Sequence, residues 1–180
     1  MSMIRLFIAI DIPEAIRMEV AGMGRSIPNA RPVPVDQLHL TLKFIGEVEG
    51  SKFLDIQDAL KEIFLPRFSL SLKGVGTFPP RGIPRVLWAG LEQAERTTAL
   101  RNAIDRSLAV LNIPRDKKRY TPHLTLARLR NSPIHDLQHF LAGNAFFQSS
   151  EFPVESFHLY SSRLTSKGAQ HTIERSYPLI

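Results

Sequence analysis

The chain has 180 residues, 43% hydrophobic and 22% charged, the composition of an ordinary soluble globular protein, which excludes extensive disorder. It contains no cysteine, which removes disulfides, thiolate metal sites, iron–sulfur clusters and cysteine nucleophiles together and suits a reducing compartment. A formal net charge of +6 and a pI of about 10.0 favour a polyanionic partner.

The opening segment Met1 to Asp11 is apolar over too short a stretch to span a bilayer and lacks the layout of a secretory signal. No later stretch is apolar for long enough either, so a cytoplasmic protein with no membrane partner is expected. Ile4 to Ile10, rich in β-branched and aromatic residues, reads as a strand. Pro13 to Met23 carries Ile16, Val20 and Met23 at helical spacing, with Pro13 near the helix start. Arg31 to Pro34 is an extended linker. Leu38 to Ile45 alternates as a strand ended by Gly46, and Ser51 is placed to cap a helix running to about Phe64, with Phe53, Leu54, Ile56, Leu60 and Ile63 on its buried side.

Phe68 to Val75 alternates, with Phe68, Leu70 and Leu72 on one face. The proline-rich stretch Phe78 to Pro84 is a loop, and Arg85 to Leu91 a strand. A longer helix fits Glu92 to Leu111, closed by Asn112 and Pro114. His123 to Leu129 is a strand and Pro133 to Leu141 a short helix ended by Gly143. Phe152 to Leu164 and Thr172 to Leu179 are strands joined by a turn at Lys167 and Gly168.

This irregular alternation favours an α+β architecture with antiparallel sheets over a doubly wound parallel one. One large echo stands out: the tetrapeptide HLTL at His39–Leu42 recurs at His123–Leu126. Each copy sits in a strand that precedes a helix. A duplicated, pseudo-symmetric, two-lobed single domain over residues 1–180 is therefore expected, with antiparallel sheets lining a central cleft and helices outside.

In a strand, residues two apart share a face. His39 and Thr41 then point one way while Leu40 and Leu42 anchor the core, and His123, Thr125, Leu124 and Leu126 repeat the arrangement. Two histidines facing across a cleft can act as an acid–base pair, because the imidazole pKa lies near working pH. The threonine hydroxyls can donate to non-bridging phosphoryl oxygens. A single His-x-Thr-x means little; two identical copies in one chain of this length are hard to ascribe to chance.

With these motifs the chain resembles the two-histidine phosphoesterase superfamily, and within it the bacterial and archaeal RNA 2′,3′-cyclic phosphodiesterases, also called 2′-5′ RNA ligases. The resemblance runs through Arg5–Ile10 (RLFIAI), Leu38–Val48 (LHLTLKFIGEV), Val86–Gly90 (VLWAG), Tyr120–Arg128 (YTPHLTLAR) and Tyr177–Leu179 (YPL). It implies that His39 donates a proton to the leaving O3′ and that His123 is the proton acceptor that activates water, giving an RNA 2′-phosphate. It also implies phosphate binding by Thr41, Thr125 and Arg128. Thr125 and Arg128 stand three apart, so both reach one phosphate only where the strand ends or bulges near Ala127. The donor and base roles can be exchanged without altering the sequence pattern. Typical members carry an aromatic residue and an Asn shortly before the first motif; here the stretch is Val33–Gln37 (VPVDQ), which leaves recognition of the base unassigned.

The basic run Arg115–Arg119 (RDKKR) stops just before the second motif. Phe44 and Tyr120 flank the motifs and are candidates for contact with a nucleobase, although core packing is the simpler role for Phe44. Arg81 and Arg85 in the proline loop either guide RNA or are merely solvated. His135 and His139 share a helix face without a third ligand nearby, so no metal or other cofactor is expected. His158 reads as a structural histidine, His171 as an exposed one after a turn, and Trp88 as core. No phosphate-binding glycine loop indicates ATP.

The expected partner is RNA with a 2′,3′-cyclic phosphate end, acted on by a monomer. By microscopic reversibility the same pair can join a cyclic end to a 5′-hydroxyl in a 2′-5′ linkage. Two alternatives are a phosphoesterase of the same fold acting on small cyclic nucleotides or 2′-5′ oligoadenylates, and a non-catalytic RNA-binding module.

Overall fold

The computed structural model describes residues 3–180; Met1 and Ser2 of the opening segment lie outside it. Along the chain run β1 (Met3–Asp11), α1 (Glu14–Val20), β2 (Ala30–Pro32), β3 (His39–Glu49), α2 (Gly50–Lys61), β4 (Phe68–Phe78), β5 (Val86–Glu92), α3 (Ala94–Ala109), β6 (Leu124–Leu129), α4 (Ile134–Gly143), β7 (Phe152–Val154), β8 (Ser156–Thr165) and β9 (Gly168–Pro178). The strands form a four-stranded sheet in the order β3-β1-β8-β9 and a five-stranded sheet in the order β2-β6-β5-β4-β7. The paired strands are antiparallel. The α+β class read from the sequence is what the chain adopts.

The chain passes repeatedly between the sheets. α3 leaves β5 of the second sheet yet packs on α2 and on β3 of the first. After α1 the chain crosses to the second sheet, where a Cβ at Gly24 would meet Leu87 at 2.9 Å and Ala127 at 3.4 Å. Gly24 also holds a φ of +87°, so glycine is required there for both conformation and space. One apolar cluster joins the sheets, with Ile8, Leu40 and Leu159 from the first and Leu70, Leu87 and Leu124 from the second all at 0% exposure. Full burial of such a side chain is worth about 1.5–3 kcal/mol, so the motif leucines hold their strands down.

Several elements differ from expectation. Arg31 and Pro32, read as linker, belong to β2, which pairs with β6. β3 does not end at Gly46; it runs to Glu49 through an irregularity where Leu6 pairs with Gly46 but Phe7 with Phe44. α2 starts at Gly50 with Glu49 as its cap residue, so Ser51 lies inside the helix, and Leu54 is 58% exposed rather than buried. The single strand expected from Phe152 to Leu164 is two: β7 pairs with β4 in the second sheet, and β8 pairs with β1 and β9 in the first. The break at Glu155 is decided by which edge each half can reach, a choice that alternation within the segment does not encode.

The most consequential deviation is a pair of matched bulges. Along β3, Ile8 pairs with Lys43 and Ala9 with Thr41, leaving Leu42 as an extra residue. Along β6, Leu87 pairs with Ala127 and Trp88 with Thr125, leaving Leu126 as an extra residue. Leu42 and Leu126 are the fourth residues of the two HLTL copies. Each bulge turns the next two residues over, so that Lys43 and Ala127 are buried while Phe44 and Arg128 return to the face of the histidine and threonine. Strict alternation would have buried Phe44. Instead it is 65% exposed, and its equivalent in the second copy is Arg128.

Candidate active site

His39 begins β3, and His123 stands one residue before β6. The two rings are held alike. Nδ1–H of His39 donates to the carbonyl of Gln37 at 2.7 Å, and Nδ1–H of His123 donates to the carbonyl of Thr121 at 2.7 Å. A carbonyl only accepts, so each Nδ1 carries hydrogen and each neutral ring presents an unprotonated Nε2. Each ring also packs on a phenylalanine, His39 on Phe7 and His123 on Phe78, both with centroids 4.9 Å apart. Strands β3 and β6 are in contact, and the Tyr120 hydroxyl, just before the second motif, reaches the carbonyl of Thr41 in the first, so the two motif strands lie side by side.

Burial is the main reason both imidazoles sit below their ordinary pKa. For His39 the hydrogen bond to Gln37 opposes this, the neighbouring His171 adds to it, and Asp11 weakly opposes it. For His123 the hydrogen bond to Thr121 opposes the burial and the positive charge of Arg128 adds to it. Both rings are thus neutral near pH 7 and ready to accept a proton. An anionic phosphate arriving between them favours protonation of one ring, which supplies the acid of an acid–base pair.

The first wall carries an aromatic row. Phe7 stacks on Tyr160 at 5.0 Å, and His171 meets His39 edge-on at 5.4 Å and Phe7 at 4.9 Å. His171 is therefore half-buried in β9 against the catalytic candidate, not free after a turn. Its sequence surroundings are polar and offered no signal of this; the register of Ser162 with His171 on the adjacent strand is what sets it there. His158 is bonded through its two ring nitrogens to Ser156 at 3.3 Å and Ser176 at 2.8 Å, in keeping with a structural role. On the second wall Trp88 is half-buried and lies against Gly76, where a Cβ would come within 2.3 Å of its ring. Trp88 pairs with Thr125 and packs on Phe78 at 5.3 Å, so it floors the cleft beneath the second motif rather than filling the core.

Tyr120 is committed within the fold. Its hydroxyl donates to the carbonyl of Thr41 at 3.1 Å, and the Arg101 guanidinium lies 5.1 Å from its ring centroid. Arg101 in turn pairs with Asp105 at 3.1 Å and Asp116 at 3.3 Å, and Asp105 pairs with the buried Lys43 at 2.8 Å. Lys43 also donates to the carbonyl of Pro114 at 2.9 Å. This chain of charges connects the first motif's strand to α3 and to the loop that leads into the second motif. Sequence reading missed it, because Lys43 looks like a cleft residue until the bulge at Leu42 is known. His135 and His139 lie on α4, and among the described residues no group of three or more His, Asp or Glu could hold a metal ion.

Residues 13–165 match the family model described as the 2′-5′ RNA ligase superfamily. The chain belongs to this superfamily. Relatives within it include a protein of Archaeoglobus fulgidus named RNA 2′,3′-cyclic phosphodiesterase, 34% identical over 91% of this chain and 94% of its own length. A protein of the same name from Thermus thermophilus is 35% identical over 97% of this chain and 90% of its own. Among solved structures, TT0787 of Thermus thermophilus superposes with a TM-score of 0.81 at 30% identity, covering 97% of each chain. E. coli LigT in complex with 3′-AMP superposes with a TM-score of 0.80 at 28% identity over 99% of each chain. The family resemblance read from the two motifs is thereby borne out. Among the described residues no helix is long and apolar enough to cross a membrane.

Proposed function

We propose that this protein is an RNA 2′,3′-cyclic phosphodiesterase, a hydrolase that opens a terminal 2′,3′-cyclic phosphate by two-histidine acid–base catalysis. The observation that carries the reading is the matched pair His39 and His123, each with Nδ1–H bonded to the carbonyl two residues before it and with no hydrogen-bond partner for Nε2 among the described residues. Relatives of that name spanning nearly the whole chain support it.

In the proposed reaction water attacks phosphorus in line with O3′. His123 Nε2 removes a proton from the water as the new P–O bond forms. The P–O3′ bond breaks, and protonated His39 gives its Nε2 proton to the leaving O3′. The product is a 2′-phosphate beside a free 3′-hydroxyl. Thr41 and Thr125 donate to the non-bridging oxygens, and Arg128, brought to the same face by the bulge at Leu126, compensates their charge. With an RNA 5′-hydroxyl in place of water as the nucleophile, the same pair forms P–O5′ as P–O3′ breaks and gives a 2′-5′ linkage beside a free 3′-hydroxyl, a side activity.

The test is hydrolysis of a short RNA ending in a cyclic phosphate, in the presence of EDTA, by wild type, His39→Ala and His123→Ala. The expected result is EDTA-resistant turnover to a 2′-phosphate, reduced at least about 10²-fold in each variant. A wild type inactive on every RNA end but active on small cyclic nucleotides or 2′-5′ oligoadenylates would move the substrate assignment to those molecules.

A further inference from the structure

Residues 20–35, 63–91 and 117–135 contain eleven lysines and arginines and not one aspartate or glutamate. These stretches supply β2, β4, β6 and β5 up to its last residue, Glu92, which pairs with Lys73, so the fold gathers an excess of positive charge onto the second sheet. Within that sheet Arg31 of β2 stands directly opposite Arg128 of β6. Opposed side chains on antiparallel strands have Cβ atoms roughly 5 Å apart, and like charges placed so are destabilising. Arg130 follows on the same side, roughly 7 Å beyond Arg128, with buried Leu129 between them. Arg85 precedes β5 and accepts the N–H of Leu129 at 2.9 Å. Arg85, Arg128 and Arg130 line a recess of about 530 Å³ together with Ile83 and Asn131. All four arginines are exposed, and none takes part in an ion pair among the described residues.

One guanidinium suffices at the phosphate undergoing reaction, and Arg128 fills that place. Three more stand beside it, one of them, Arg31, directly opposite Arg128 and without an acid paired to either among the described residues, and such a cluster is relieved by an anion beyond the first. An RNA strand provides one, because the nucleotide before the terminal one is joined to it by a charged phosphodiester.

We propose that Arg31, Arg85 and Arg130 form a second anion subsite beside Arg128 that holds the phosphodiester preceding the cyclic end. The substrates are then the ends of RNA strands rather than mononucleoside cyclic phosphates. The inference rests on the RNA-end reading above and adds to it the direction in which the strand leaves the cleft, over the edge formed by β2, the end of β6 and the loop before β5.

The experiment compares kcat/KM for a mononucleoside 2′,3′-cyclic phosphate, a dinucleotide with the same end, and that dinucleotide with a neutral methylphosphonate linkage. Wild type, Arg85→Ala and the double variant Arg31→Ala/Arg130→Ala are measured on all three. Because each preparation is read on every substrate, a loss of folded enzyme cancels in the ratio. The expected dinucleotide preference of wild type is about tenfold or more, as for a charged hydrogen bond, and is lost with the neutral linkage and in the double variant. The dependence of log(kcat/KM) on log salt for the dinucleotide becomes shallower by about 0.7 for each arginine removed. A preference that survives the neutral linkage or the double variant overturns the subsite and leaves the cyclic phosphodiesterase reading standing. If wild type turns over no cyclic end at all, that reading fails, and binding of the dinucleotide decides the subsite: affinity lost in the double variant upholds it, and unchanged affinity removes it.

Discussion

Tyr120, three residues ahead of His123, donates its phenolic hydrogen to the main-chain carbonyl of Thr41 at 3.1 Å and thereby ties the approach to one motif to the strand of the other. Burial pushes the phenol well above its ordinary pKa, so it remains a donor throughout the working range. Tyr120→Phe keeps the ring and removes this bond. The expected cost is about 1 kcal/mol of stability, seen as a lower urea midpoint at unchanged slope. A severalfold fall in kcat is expected as well, because the relative placement of the two histidines loosens. Full activity in the variant would show that the lobes hold their spacing by other means.

The pH profile of kcat/KM reports the free enzyme's acid and base. The productive form carries one proton on the pair, and its population is greatest midway between the two pKa values. Burial holds both His39 and His123 below the ordinary imidazole value, so that midpoint is lowered too. A bell-shaped profile with its maximum below about pH 6.5 is expected. Rising pH strips the acid and falling pH protonates the base. The groups around His39 are Phe7, Tyr160, His171 and Asp11. Replacing His171 by Ala removes a like charge and opens the site, so the limb belonging to His39 should move to higher pH. An unmoved limb would mean that His171 bears only on packing.

Lys43 and Asp105 each have a side chain only 1% exposed and meet at 2.8 Å. Removing one partner of such a pair leaves an uncompensated buried charge. Asp105→Ala is expected to lose about 3–5 kcal/mol by chemical denaturation. Lys43→Met should lose less, since Asp105 keeps Arg101. A larger loss for Lys43→Met would argue that the lysine, not the aspartate, is the centre of the network.

Phe44 is 65% exposed on the cleft face and lies 6.0 Å from Phe7. Stacking of a base on an aromatic ring is worth about 1–3 kcal/mol. Phe44→Ala should raise KM for an RNA end about tenfold while kcat and the unfolding midpoint change little, since an exposed ring contributes little to the core. Retention of the wild-type KM would leave Phe44 without a substrate contact.

Much of the site was legible before folding. The repeated HLTL named His39, Thr41, His123 and Thr125, and alternation placed their leucines inward. The spacing of Thr125 and Arg128 called for the strand to end or bulge near Ala127, and a bulge is found at Leu126, one residue away. Phe44 was assigned to the core by simple alternation, and the matching bulge at Leu42 reverses that. His171 and Trp88 were misplaced because burial on the cleft face depends on a neighbouring strand. The split between β7 and β8 escaped notice for the same reason, since both halves have ordinary strand sequences.

The sequence by itself determined the period of each element, the two acid–base candidates and the sign of the charge, because side-chain direction in a strand and net charge are local properties. Only the tertiary structure decided which residues share the cleft. Bulges, edge pairing and the crossing of α3 to the other sheet are settled by the partner strand against which each segment packs. They therefore fix by long-range register that Lys43 is buried with Asp105 while Phe44 and Arg128 face the histidines.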